Sequence, residues 1–219
     1  KRLGFSESQI SRGVYAWDET SFGTVPRRFD ETAPKSSFVF VGRLAQEKGI
    51  ETLTKAYQGY RRSVADPWSL TVCGTGPLSA TVHGPGIQLR GFVQPDELPT
   101  IFSESSVLVL PSYYEPWGVA IAEGMGAGLP VIATEACGAA VDLIRSYWNG
   151  LLVPTGSTSS LTDAFTWFHE HASQLDVMGE NAKKAAEPFS AANWAVRWRE
   201  MLLTLTAEHS TSFAKRKAA

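Results

Sequence analysis

The chain has 219 residues, 43% hydrophobic and 19% charged, with 22 acidic against 20 basic side chains and a formal charge of −2. That composition fits a folded chain of about one domain to a domain and a half, and excludes a disordered or collagen-like protein. It also argues against a global grip on nucleic acid, which calls for a basic excess; two cysteines, Cys73 and Cys137, exclude a disulfide framework or a four-thiolate zinc site and point to a reducing compartment.

Residues 1–37 are polar and turn-rich, interrupted by Tyr15, Trp17, Phe22 and Phe29, and read as a linker rather than core. The chain opens on Lys1-Arg2 without a Met or an apolar leader, and is expected to be part of something longer. From Ser37 short apolar runs recur: 38–41, 70–73, 87–92, 107–110, 131–133 and 151–153, most of them ended by Gly or Pro. Such runs predict strands buried on both faces of a parallel sheet. Ile50, Leu53, Tyr57 and Tyr60 recur at helical steps, and further helices are predicted over 118–126 and 140–147. Alternation of strand and helix gives a doubly wound α/β domain, whose ligands bind beyond the carboxyl ends of the strands. Trp194, Trp198, Met201, Leu202 and Leu205 predict a last helix with a core-facing stripe, followed by a short basic tail at 214–217. The most apolar stretch, 107–144, is broken by acids, Gly and Pro and makes no membrane span.

Three loops at predicted strand ends could carry chemistry. After the first strand come Gly42, Arg43 and Lys48, two cations beside a helix start. A phosphate 4 Å from one such cation gains about 4 kcal/mol at an effective dielectric of about 20, and free helix N–H groups add to it. The alternative is an ordinary surface pairing of Arg43 and Lys48 with Glu47 or Glu51. After the second strand, Gly74-Thr75-Gly76-Pro77 allows close backbone approach. It is only part of a dinucleotide fingerprint, even with Asp96 downstream. After the fourth strand, Glu115 and Glu123 bracket a helix start at Gly118 and Val119. Carboxylates suit a polyhydroxylated ligand; helix-end compensation for Glu115 and a plain surface charge for Glu123 are the alternatives. Small residues around Glu123 predict close packing and a partner for its carboxylate. His169 and His171, two residues apart, cannot face one metal from a helix.

Taken in order, Gly42-Arg43-Leu44 with Lys48-Gly49, Gly74-Thr75-Gly76-Pro77, Gly91-Phe92-Val93, Pro111-Ser112 with Glu115 and Glu123, 128–133 and 149–153 resemble the C-terminal donor-binding domain of retaining GT-B glycosyltransferases. The resemblance implies a Rossmann-like half of a GT-B fold over 38–189, preceded by an interdomain linker (1–37) and followed by a crossover helix and tail (190–219), with the N-terminal acceptor domain absent. It implies that Arg43 and Lys48 clamp the donor diphosphate, that Glu115 holds hydroxyls of the donor sugar, and that Glu123 holds the ribose. Gly42, Gly74, Gly76, Trp117, Gly118 and Val119 would line the donor, and the backbone at Phe92 and Val93 would face the base. It implies no metal and no cofactor beyond a nucleotide-sugar substrate such as a UDP or GDP sugar.

The sequence departs from the family where Pro116-Trp117-Gly118 stands for Gly-Phe-Gly and Gly124 for Ala. The expectation is hexosyl transfer by the full-length enzyme in glycan synthesis, an inactive fragment, no nucleic-acid partner, and a cytoplasmic setting with peripheral membrane contact of the parent enzyme open. Two other readings stand beside it: a non-catalytic nucleotide-sugar module, and an NAD-dependent dehydrogenase resting on Gly74, Gly76 and Asp96.

Overall fold

The structure is a computed structural model that describes Gly4 and residues 15–25 and 36–217, with side chains to residue 206. Phe29 and the basic tail's side chains lie outside the described residues. Six parallel strands, β1 (Ser37–Val41), β2 (Ser69–Cys73), β3 (Ile87–Gly91), β4 (Val107–Leu110), β5 (Val131–Thr134) and β6 (Gly150–Val153), form one sheet in the order β3-β2-β1-β4-β5-β6. The order reverses between β1 and β4, where Phe38 pairs with Val107 and Val39 with Leu108. Helices α2 (Ile50–Ser63) and α6 (Thr158–Glu170) cover one face. Helices α1 (Glu19–Phe22), α4 (Val119–Gly126), α5 (Gly138–Leu143) and α7 (Leu175–Ala186) belong to the other, and α3 (Leu98–Ser103) precedes β4.

The apolar runs are continuous because alternate residues enter different cores. Phe38 and Phe40 join Tyr57, Tyr60 and Phe165 on the α2/α6 face, while Val39, Leu108 and Leu110 join Ile121 and Met125 on the α4 face. Phe165 meets Phe38 edge-on at 4.6 Å, a favoured aromatic geometry. The third run is an exception. β3 is an edge strand, with Gln88, Leu89 and Arg90 exposed, so it is not buried on both faces. The helix predicted to reach residue 147 stops at Leu143, because Ile144 is extended and Tyr147 adopts φ +66°.

The linker is corrected as well. Trp17, Phe22 and Val25 are buried and belong to the α4 core. Trp17 donates its indole N–H to Ala186 O at 2.8 Å. Its backbone runs parallel to Ser190, with Trp17 N–H to Phe189 O at 3.1 Å and Ala191 N–H to Trp17 O at 3.0 Å. The Glu19 carboxylate then accepts from the N–H groups of Ala191 and Ala192, capping α8 (Ala191–Lys217). That helix does not turn its stripe to the core. Leu202 and Leu205 are about half exposed, because α8 meets the body at its first turn and then runs clear of the sheet. Among the described residues no helix is long and apolar enough to cross a membrane.

Candidate functional site

The switch point between β1 and β4 is where two strand-end loops diverge and leave a crevice. The loop after β1 makes a single 3₁₀ turn at Gln46–Lys48 before α2 begins. The loop after β4 runs from Pro111 to Gly118 before α4 begins. Backbone bonds lock the two together: the N–H groups of Tyr113 (2.8 Å) and Tyr114 (3.3 Å) both donate to Glu47 O. Across the gap the Lys48 ammonium forms an ion pair with the Glu115 carboxylate, 67 residues away in sequence. Both side chains are largely shielded, at 22% and 14% exposure, so the pair is screened less than a surface one. Arg43 pairs instead with Glu47 on the surface, as the alternative reading had it. Arg43 holds the Glu47 carboxyl below its usual value through a direct hydrogen bond.

The same loop after β1, through Gly42 and Arg43, helps to line a cavity of about 470 Å³ at the carboxyl ends of β1, β2 and β3, a size proper to a small-molecule site. Gly42, Arg43, Gly74, Gly76, Phe92 and Val93 line it, together with Val41, Cys73, Thr75 and Leu98. Cys73 is buried in its wall, and burial pushes the thiol up to about 11, which disfavours the thiolate. Phe92 stands 67% exposed at the rim. The loop after β2 continues into one 3₁₀ turn, Ser79–Thr81, and not the long helix that a dinucleotide fingerprint opens.

The structure thus brings Gly42, Arg43, Gly74, Gly76, Phe92 and Val93 to one cavity and Lys48 to Glu115. Gly118 and Val119 stand where expected, at the uncapped N-terminus of α4. Of the expected donor-site residues, Lys48, Glu115, Trp117, Gly118, Val119 and Glu123 do not line that cavity. The Trp117 indole lies between the rings of Tyr15 and Phe189, each at 5.7 Å. Glu123 sits in the second turn of α4, and among the described residues its carboxylate has no hydrogen-bond or ion-pair partner, contrary to the expectation drawn from its small neighbours. Those neighbours serve packing: a Cβ on Gly124 would come within 2.6 Å of Leu108 Cδ2, and one on Gly126 within 2.4 Å of the Trp17 ring. The pairing of Lys48 with Glu115, and the roles of Tyr15 and Phe189, carry no local signal in the sequence.

Burial, then repulsion from Asp18, raises the Glu123 carboxyl above its ordinary value of 4.5. An acid whose folded value is raised contributes most stability when protonated, and loses that contribution as pH climbs through the folded value. Glu123→Gln is therefore expected to raise the melting temperature at about pH 7.5 and to leave it nearly unchanged at about pH 3, well below the ordinary value of 4.5, where both states are largely protonated. Thermal melts at the two pH values check this; equal shifts at both would refute it.

Comparison with known proteins gives one consistent result. The profile of the family described as Glycosyl transferases group 1 matches residues 26–185. Alpha-D-kanosaminyltransferase of Streptomyces kanamyceticus is 30% identical over 166 residues, 72% of this chain and 42% of that protein. Sucrose-phosphate synthase from Thermosynechococcus elongatus superposes with a TM-score of 0.74 at 24% identity, over 89% of this chain and 52% of the other. HepE of Anabaena, solved with UDP and glucose, gives 0.73 at 20% identity, over 92% and 58%. The chain spans less than half the length of the first curated relatives it matches.

Proposed function

The chain belongs to the group 1 glycosyl transferases, and from that premise we propose that it is the half of a retaining glycosyltransferase that binds the nucleoside diphosphate sugar. The observation that carries this is the loop after β1, which joins Lys48 to Glu115 across the switch point and lines a cavity of about 470 Å³ with Gly42 and Arg43. Lys48 and Arg43 supply the positive charge a diphosphate leaving group needs as the glycosidic bond breaks. Glu115 accepts hydroxyls of the hexose, and Glu123, unpartnered among the described residues, accepts those of the ribose. The N–H groups at the start of α4 face the same developing charge. Phe92 and Val93 at the cavity rim suit the base. HepE was solved with UDP and glucose, which supports a UDP hexose as donor; a GDP hexose is the alternative. The acceptor belongs to the remainder of a protein about twice this length, so this chain alone is expected to bind donor without turning it over.

A thermal-shift panel of UDP, GDP, ADP, UDP-glucose, GDP-mannose and NAD tests the reading. A ligand at about 100 times its dissociation constant adds about 2.7 kcal/mol of stability, or about 5–10 °C for a domain of this size. At least one nucleoside diphosphate is expected to give such a shift, and NAD none. Stabilisation by NAD alone would overturn the proposal.

A further inference from the structure

The loop that carries Glu115 is held from two sides. On one, its backbone is stitched to the turn before α5: Glu115 N–H donates to Ala136 O at 3.2 Å, Gly138 N–H to Glu115 O at 3.1 Å, and Ala139 N–H to Trp117 O at 2.8 Å. On the other, the Trp117 indole is stacked on Tyr15, 18° from parallel, and packed against Phe189 at 40°. Tyr15 and Phe189 come from the two segments that run side by side through the Trp17–Ser190 pairing. Phe189 is in turn covered by the Arg197 guanidinium, 5.5 Å from its centroid. Tyr15 remains 46% exposed, so its stack on Trp117 is not a by-product of core burial. Neither Tyr15 nor Phe189 lines the cavity.

One residue, Pro116, separates Trp117 from Glu115, and a Cβ on Gly118, which follows, would come within 3.1 Å of Glu115 Cγ. The packing of the indole on Tyr15 and Phe189 therefore constrains the short backbone stretch that carries the carboxylate. Resting on the reading of Glu115 as the seat of the donor hexose, we infer that Trp117 is a positioning residue: held between Tyr15 and Phe189, it fixes the Glu115 carboxylate toward the sugar, and the paired segments 15–17 and 187–191 set its place. Two chain segments remote from the strand-end loops thereby govern the sugar half of the site and not the diphosphate half, which Lys48 and Arg43 hold from the loop after β1.

Calorimetric titration of the chain with UDP and UDP-glucose, and with GDP and GDP-mannose, tests this on Trp117→Ala, Trp117→Phe and Tyr15→Leu. Tyr15→Leu changes a half-exposed side chain and keeps the fold testable. In Trp117→Ala and Tyr15→Leu the ratio of nucleotide-sugar to nucleoside-diphosphate affinity is expected to fall about 10-fold, as a misaimed group near the sugar would cause. Trp117→Phe, which keeps a ring in the stack, is expected to restore the ratio. An unchanged ratio, or an equal loss of diphosphate and sugar-diphosphate affinity with a lower melting temperature, overturns the positioning role and leaves the donor site intact. Failure of the unaltered chain to bind any of the four ligands overturns the donor-site reading itself, and this inference with it.

Discussion

Lys48→Ala is expected to weaken nucleoside-diphosphate binding by about 30- to 150-fold, the equivalent of about 2–3 kcal/mol. Two effects act in the same direction. The ammonium's attraction for a phosphate at contact is worth about 4 kcal/mol at an effective dielectric of about 20, reduced here by its partial exposure of 22%. Removal of Lys48 also leaves Glu115, 14% exposed, without its counter-ion and facing the incoming phosphates. The same loss destabilises the free protein by about 1–3 kcal/mol, short of the penalty for a fully buried pair. The double variant Lys48→Ala/Glu115→Gln separates the two: stability is expected to recover, while diphosphate affinity regains only the part lost to repulsion from Glu115. Calorimetry with UDP and GDP, alongside denaturant melts, measures both. Wild-type affinity in Lys48→Ala would remove the diphosphate from this crevice.

Gly74→Ala carries the largest expected effect on folding. Gly74 has φ +147°, in the region that disfavours a side chain, and a Cβ there would lie 1.8 Å from Gly42 O. The contact is backbone against backbone, between the ends of β1 and β2, where Gly42 N–H bonds Cys73 O at 3.0 Å and Gly74 N–H bonds Gly91 O at 2.7 Å. No rotamer change relieves it, so the strand ends must part. The expected loss is about 2–4 kcal/mol, a fall in melting temperature of about 4–16 °C at this chain length. Because Gly42 and Gly74 both line the cavity, UDP affinity measured well below the melt is expected to fall too. A melting temperature within about 1 °C of the unaltered chain would show that the loop after β2 is not under this constraint.

Much of the sheet was legible in the sequence because its central strands are buried on both faces, and continuous apolar runs follow from that directly. β3 broke the pattern: an edge strand keeps its pairing while exposing Gln88 and Arg90, and a run of mixed residues does not say which side faces water. Trp17 was misread for a related reason. A lone indole in a polar stretch gives no period, and its burial depends on the gap that Gly126 leaves on α4. The stripe of α8 is legible as a stripe but its exposure is not, since helical spacing names a face and not what covers it. At the site, the loops were legible from Gly, cations and carboxylates at strand ends. The partnerships were not: Lys48 had Glu47 and Glu51 close in sequence, and only the meeting of β1 with β4 brings Glu115 nearer. Glu123 shows the converse, a carboxylate whose small neighbours make room for Leu108 and Trp17 and not for a counter-charge.

The pairing of Arg43 with Glu47 and Lys48 with Glu115 sets how a ligand arrives. With each cation matched to an acid, these four groups project almost no field beyond a Debye length, so anions are not drawn in from a distance. On the proposed reading, capture is a short-range exchange of partners, without the steering that a bare cation would give. Stray phosphates and polyanions, which a bare positive crevice would collect, gain less here on that reading, because they must first displace a carboxylate from each cation.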